Sequence, residues 1–211
     1  EDLRDETAKV LRAADACRPD WVVRGQYDGY RDEPDVQPDS EVETFVAIRV
    51  DVDNWRWAGV PFFLRTGKRL PRKISEATVV FKPVPLQLFD AEAGSLPPNR
   101  VTLRLQPDEG ISISFLAQRP GLGTSLEETA LEFEYGEAFA DIPLVGAYEH
   151  LLFEAMHGDR TLFTRQDGVE RAWEVLDRVL REPPAVRPYA PGSWGPSDAD
   201  ELIAPRRWLT T

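Results

Sequence analysis

Cysteine is almost absent from this chain: Cys17 is the one thiol among 211 residues. It has no partner within the sequence, so neither a disulfide framework nor a thiolate metal site is open to it, and it reads as an ordinary reduced thiol. Histidine is nearly as scarce, with only His150 and His157. Seven residues apart on one helix, these two stand roughly 10 Å from each other, too far to share a metal ion, and they read as helix-surface side chains. No stretch approaches the roughly 18 apolar residues that a membrane-spanning helix needs. The opening residues are acidic and polar, unlike a secretory leader. A cytoplasmic protein without a membrane partner is expected. Positive charge is short as well: 25 Lys and Arg face 37 Asp and Glu, for a formal net charge of -12. That balance repels nucleic acid, so any anionic ligand must be received by a local basic patch.

One such patch exists. Between Asn54 and Ser75 there is no acidic residue, while Arg65, Lys68, Arg69, Arg72 and Lys73 fall within nine positions. On residue type alone this is either a solvated basic surface or an anion-receiving turn. The neighbouring Trp55, Trp57, Phe62 and Phe63 read as core residues flanking strands rather than as a stacking platform for bases. The densest glycine run, Gly121-Leu122-Gly123, lies between strand candidates and reads as a plain turn.

With 42% hydrophobic and 29% charged residues, the chain has the composition of one large globular domain. Apolar positions Leu3, Val10, Leu11 and Ala14 share one side of an opening helix over 2–16, with acids in its first turn and Pro19 beyond its end. A strand over 21–27 and a Pro-, Asp- and Gly-rich loop to Ser40 follow. Residues 41–53 alternate apolar and polar side chains, which predicts a long strand with one wet face. Further strands are expected over 61–65, 77–82, 100–106, 111–116 and 131–135, joined by loops too short for crossover helices, so the sheet should be mostly antiparallel. Two helical stripes come next: Ala147, Tyr148, Leu151, Leu152, Ala155 and Met156, then Val169, Ala172, Trp173, Leu176, Val179 and Leu180. Asp167 and Glu170 have the spacing of a variant capping box, and a Pro-rich tail begins at Pro183. Strands followed by helices predict an α+β fold, a large mostly antiparallel sheet with helices packed on one face.

The segment from Asn54 to Lys68, Asn-Trp-Arg-Trp-Ala-Gly-Val-Pro-Phe-Phe-Leu-Arg-Thr-Gly-Lys, resembles the most recognisable stretch in the C-terminal half of glucose-6-phosphate dehydrogenases. Val23 to Tyr27, Leu105 to Glu109, Tyr148 to Leu152, Gly192 to Pro196 and Ala199 to Leu202 are similar to further stretches of that family, in family order. The resemblance spans 1–211. It implies the substrate-binding and dimerisation domain of an enzyme that oxidises D-glucose 6-phosphate to its lactone with NADP. The family's Gly-rich dinucleotide loop and its histidine base have no counterpart in this sequence, so the resemblance places both in an N-terminal NADP-binding Rossmann domain that is not in it. No catalytic, cofactor-binding or metal-binding residue is expected here. The chain by itself is expected to be inactive, and the opening inside a family-like helix suggests a piece of a longer protein. A stand-alone phosphosugar-binding or assembly module is the competing possibility.

The resemblance also assigns residues. Lys68 and Lys73 match two basic positions that reach the family's substrate pocket, and Gln106 matches a strand-end position associated with substrate. Arg69 and Arg72 stay with the solvated patch. Some family members hold a second, stabilising NADP in this domain. Arg65 and Arg104 match basic positions of that site, but Ile74 and Thr78 stand where cations are needed, so no tightly held NADP is expected. Arg65 is alternatively expected to pair with a carboxylate before Lys68. The sheet is expected at a twofold interface, giving a homodimer or tetramer.

Overall fold

The computed structural model describes residues 2–83, 96–121, 125–142 and 145–209. In chain order these form α1 (Asp2–Ala13), β1 (Val22–Tyr27), β2 (Phe45–Asp51), β3 (Pro61–Gly67), β4 (Ser75–Val80), β5 (Arg100–Gln106), β6 (Gly110–Gln118), β7 (Leu126–Glu134), α2 (Tyr135–Ala138), α3 (Ala147–His157), α4 (Gln166–Arg181), β8 (Val186–Tyr189) and α5 (Asp198–Ile203). They divide into two compact units, Glu1–Arg72 with Gly146–Thr211, and Lys73–Val145. The α+β class is as expected, and every described strand pair except one is antiparallel. Among the described residues the strands register as two sheets of four, β3-β2-β1-β8 and β4-β5-β6-β7, where the sequence suggested one broad sheet.

In the first unit, helices lie on both faces of the sheet rather than on one. Val22 and Ile48 are cross-strand partners, and so are Val23 and Ala47. Strand alternation puts the two pairs on opposite faces. The first face packs with Ala14, Cys17, Val175 and Val179, from the end of α1 and from α4. The second packs with Tyr189, Ala199 and Trp208, from the closing segment. The sequence pattern concealed this because Glu41, Glu43, Arg49 and Asp51 share the alternate positions with Phe45 and Ala47, so the face expected to be wet holds two of the most buried side chains.

Several boundaries moved for identifiable reasons. The long strand expected over 41–53 begins only at Phe45. Upstream, Arg24 Nη2 donates to the Glu41 carbonyl at 2.8 Å, and Gln26 Nε2 donates to the carbonyls of Ser40 and Val42 at 3.0 and 2.9 Å. Side chains there satisfy acceptors that a ladder would otherwise hold. In α1 Ala8 is buried, as is Ala14 one residue past its end, while Leu3 and Val10 are exposed. The helix turns its small side against α4, where Arg171 donates to the carbonyls of Leu11 and Ala14 at 3.2 and 2.9 Å and closes the helix end. Asp167 does not cap α4: Arg165 occupies that position, and Asp167 instead accepts from its Nε and Nη2, both at 2.7 Å. Of the glycine run at 121–123, Leu122 and Gly123 lie outside the described residues.

The strand missing from the sequence reading is β8. It pairs in parallel with β1 at the sheet edge, Arg24 opposite Val186 and Tyr27 opposite Tyr189. Pro188 suits an edge strand, which has one side free of ladder bonds. Through β8 the Pro-rich tail delivers Tyr189 into the core, 4% exposed.

Phe45 is the centre of that core, 1% exposed. Burying such a ring stabilises by about 1.5–3 kcal/mol. It fits because glycines surround it. A Cβ on Gly67, its cross-strand partner, would stand 2.8 Å from Phe45 Cδ2, and one on Gly195 would overlap the ring. Gly195 also has φ +106, outside the range of L side chains. Gly195→Ala should therefore lower stability by about 1–3 kcal/mol from crowding, with backbone strain added. Gly59→Ala, at φ +75 but with nothing within 4 Å of its Cβ, should cost only the strain. Urea unfolding of both variants checks the difference.

Candidate functional site

The basic segment runs off β3 into a turn. Gly67 closes the strand, and Lys68 follows with its backbone held on both sides. Its N–H donates to the Thr44 carbonyl at 2.8 Å. Its carbonyl accepts from the Tyr189 hydroxyl at 2.7 Å. Thr44 ties the same knot from the other side, because its hydroxyl lies 3.1 Å from the Tyr189 hydroxyl and accepts the Tyr27 N–H at 3.0 Å. Thr44, one residue before β2, and Tyr189, at the end of β8, thus hold the two peptide groups that flank Lys68.

Arg69 comes next at φ +54, a left-handed conformation that costs a non-glycine residue roughly 1–2 kcal/mol. Its surroundings hold it there. Nη2 meets Glu33 Oε1 at 2.8 Å, the guanidinium stands 5.6 Å from the Tyr27 ring centroid, and the Arg69 carbonyl accepts from Gly192 N–H at 2.7 Å. Arg69 is thus a brace for the turn rather than part of a solvated patch. It also fastens the loop after β1, where Glu33 takes a second bond from the Tyr27 hydroxyl at 3.1 Å.

Beside the turn is a hollow of about 720 Å³, walled by Tyr27, Tyr30, Thr44, Thr66, Lys68 and Arg69 among others. Its size falls within the range of small-molecule sites. The charges on its wall differ in kind. Arg69 is neutralised by Glu33, and Glu43 by Arg24 at 2.9 Å. Lys68 is exposed, and among the described residues no carboxylate pairs with it. A lysine fixed at its backbone with an uncommitted ammonium at a concave wall is suited to receive an anion.

Lys73 and Gln106 belong to the other unit. Gln106 ends β5 opposite Ser75, the first residue of β4, so Lys73 and Gln106 lie at the same end of the second sheet. Both are exposed. Arg104, two residues before Gln106, is committed: its Nη2 is 3.1 Å from Glu134 and 3.4 Å from Glu132. In the first unit Arg65 is flanked by the Trp194 and Trp208 rings, each 4.7 Å from the guanidinium carbon, a contact worth about 0.5–2 kcal/mol. The sequence suggested no such indole pair. Trp57 and Phe62 pack edge to face at 5.3 Å as core aromatics do, whereas Trp55 is 93% exposed. His150 meets Glu154 at 3.3 Å, and His157 bonds the Phe153 carbonyl. Among the described residues no three His, Cys, Asp or Glu side chains converge to hold a metal, and no helix is long and apolar enough to cross a membrane.

Thr44, Tyr27 and Tyr189 were not readable as site residues. Each is a common residue type whose role appears only when β1, β2, β3 and β8 are brought together. Burial pushes the Tyr189 phenol above its ordinary value, and the Thr44 hydroxyl opposes the shift without cancelling it. A group with a raised folded pKa stabilises fully below its unfolded value, about 10, and loses that contribution as pH climbs toward the folded value. Unfolding free energy should therefore hold up to about pH 10 on this account and drop as pH rises beyond it, and Tyr189→Phe should flatten part of that drop. Urea unfolding of both proteins across this range checks it.

Comparison with known proteins adds a lineage. The family model described as "Glucose-6-phosphate dehydrogenase, C-terminal domain" matches residues 1–209. The chain is 44% identical over 221 residues to a glucose-6-phosphate 1-dehydrogenase of Dickeya dadantii, covering 95% of this chain and 45% of that protein. It is 42% identical over 228 residues to the enzyme so named in Mycolicibacterium smegmatis, covering 99% and 46%. The crystal structure of glucose-6-phosphate 1-dehydrogenase from Mycobacterium avium superimposes with a TM-score of 0.88 at 40% identity, over 100% of this chain and 44% of that one. A structure of glucose-6-phosphate dehydrogenase in complex with its substrate glucose-6-phosphate gives 0.86 at 30% identity, over 99% and 45%. The chain thus spans less than half the length of these relatives.

Proposed function

The chain belongs to the glucose-6-phosphate dehydrogenase C-terminal domain family, and from that premise we propose that it supplies substrate contacts and an assembly surface to an enzyme oxidising D-glucose 6-phosphate with NADP in the cytoplasm. The single observation that carries the reading is Lys68, pinned at its backbone and, among the described residues, without a carboxylate on its ammonium at the wall of the hollow. Lys73 and Gln106 contribute further polar contacts from the end of the second sheet. The hydride acceptor NADP is held mainly by a nucleotide-binding domain of the kind that makes up the rest of such an enzyme. Arg104 supports placing it there, since its charge is already met by Glu132 and Glu134.

Removing the Lys68 ammonium leaves the substrate's anionic oxygens without a charge-assisted partner. Lys68→Ala in the full-length enzyme should lower kcat/KM for glucose 6-phosphate by about 10- to 150-fold, the equivalent of roughly 1.5–3 kcal/mol, mostly through KM. An unchanged substrate dependence in steady-state kinetics would remove Lys68 from the site.

The second sheet supports the assembly role. Its register aligns Val79, Val101, Ile113 and Leu131 in one row and Ala77, Leu103, Ile111 and Phe133 in the next, all on one face. Leu131 is 62% exposed, and Val79, Leu103, Ile111, Ile113 and Phe133 are each more than a third exposed. The opposite face is polar yet holds the buried side chains, Thr102, Ser112 and Ser114. An apolar face left open beside a buried polar one fits a twofold pairing of two copies, each covering the other's rows. Leu131→Glu should shift the enzyme from dimer or tetramer toward monomer, and light scattering reads the mass. A monomeric parent, or an unchanged mass in the variant, would count against this surface.

A further inference from the structure

Lysine has a long flexible side chain, so the accuracy with which its ammonium meets a ligand depends on how firmly its backbone is placed. At Lys68 that placement comes from a distant part of the chain. Tyr189 sits at the end of β8, 121 positions along the sequence, and its hydroxyl donates to the Lys68 carbonyl at 2.7 Å. The same oxygen is 3.1 Å from the Thr44 hydroxyl and 3.2 Å from the Thr44 carbonyl, which accepts the Lys68 N–H at 2.8 Å. A core tyrosine needs one partner for its hydroxyl. This one spends its bonds on the two residues whose peptide groups hold Lys68. The ring is fixed in turn, with its centroid 5.7 Å from that of Phe45 and 6.3 Å from that of Tyr27.

We propose that Tyr189 is the positioning residue for Lys68: its phenol hydroxyl, with Thr44 as the intermediate link, sets the turn from which the ammonium receives the anionic oxygens of the sugar phosphate. The inference rests on reading Lys68 as a substrate contact. Tyr189 does not touch substrate, since it is 4% exposed, and its influence passes through the Lys68 backbone. Arg69 carries the other half of the turn, braced at φ +54 by Glu33 and by the Gly192 N–H. With one side of the turn anchored to Thr44 and Tyr189 and the other to Glu33 and Gly192, the ammonium is presented before any ligand arrives.

The test uses the full-length enzyme with Tyr189→Phe, Thr44→Val, Thr44→Ser, Lys68→Ala and the double variant Tyr189→Phe with Lys68→Ala. Tyr189→Phe should raise the KM for glucose 6-phosphate about two- to tenfold, more than it lowers kcat, and leave the KM for NADP as it was. Thr44→Val should act in the same direction, and Thr44→Ser, which keeps the hydroxyl, should behave like the parent. In the Lys68→Ala background Tyr189→Phe should add nothing, because the group it positions is gone. If Lys68→Ala raises KM but folded Tyr189→Phe and Thr44→Val do not, the positioning role is overturned and the substrate role of Lys68 stands. If Tyr189→Phe raises KM equally with and without the lysine, the tyrosine acts as general scaffold and the proposal also fails. An unaltered KM in Lys68→Ala would overturn the substrate reading and this inference together. Should Tyr189→Phe not fold, the Thr44 pair compared with and without Lys68 decides by the same criteria.

Discussion

Phe45 and the space made for it govern the first unit. Its ring is sealed because Gly67 and Gly195 carry no side chain, and because Tyr189 closes the remaining side. Each of these neighbours has a second duty. Gly67 ends β3 immediately before Lys68, Tyr189 bonds the Lys68 carbonyl, and Gly195 belongs to the segment that brings Trp194 over Arg65. Packing and site geometry therefore depend on the same contacts. A close-packed core transmits small displacements instead of absorbing them, so a change at Phe45 would be felt at the turn that presents the lysine.

The second unit solves a different problem. Its sheet has a polar face laced by cross-strand pairs: Thr78 with Thr102 at 3.1 Å, Ser112 with Glu132 at 2.7 Å, and Arg104 with Glu132 and Glu134. Buried polar groups persist only when satisfied, and these satisfy one another across neighbouring strands. Arg104 Nε is the described exception, buried with no hydrogen-bond partner. The cost of a polar buried face is justified if the apolar face opposite has a purpose other than covering this unit's own core.

Much of this was legible in the sequence. The strands expected over 21–27, 61–65, 100–106 and 111–116 lie within two residues of the bounds of β1, β3, β5 and β6, because short apolar runs bounded by turn residues are a local signal. The two apolar helical stripes located α3 and α4, since helical periodicity is local too. What escaped was whatever depends on partners far along the chain. The strand β8 was hidden in a Pro-rich tail, since four residues with a proline carry too little pattern to stand against a loop. Asp167 had the spacing of a cap, yet the nearby Arg165 guanidinium took its oxygens first. The same limit applied at the site. Lys68 was visible by its charge and context, while Thr44 and Tyr189, which hold it, carry no charge and lie 24 positions before it and 121 after it.

Of the 25 basic residues only Lys9, Lys68, Lys73 and Lys82 are lysines. The arginines are largely consumed in structural pairs, with Arg24 on Glu43, Arg49 on Asp51, Arg69 on Glu33 and Arg165 on Asp5 and Asp167. The planar guanidinium suits that work, since it meets a carboxylate with two parallel donors and holds it at a fixed angle. In a chain with a net charge of -12, such donors are quickly claimed by nearby acids. An ammonium is a compact, strongly hydrated point charge that loses less by waiting in water. Lysine is thus the cation that stays available in an acidic protein, provided no carboxylate stands beside it. The acid-free stretch from Asn54 to Ser75 meets that condition at Lys68 and Lys73. Lys9, by contrast, lies within reach of Glu6 and is paired with it.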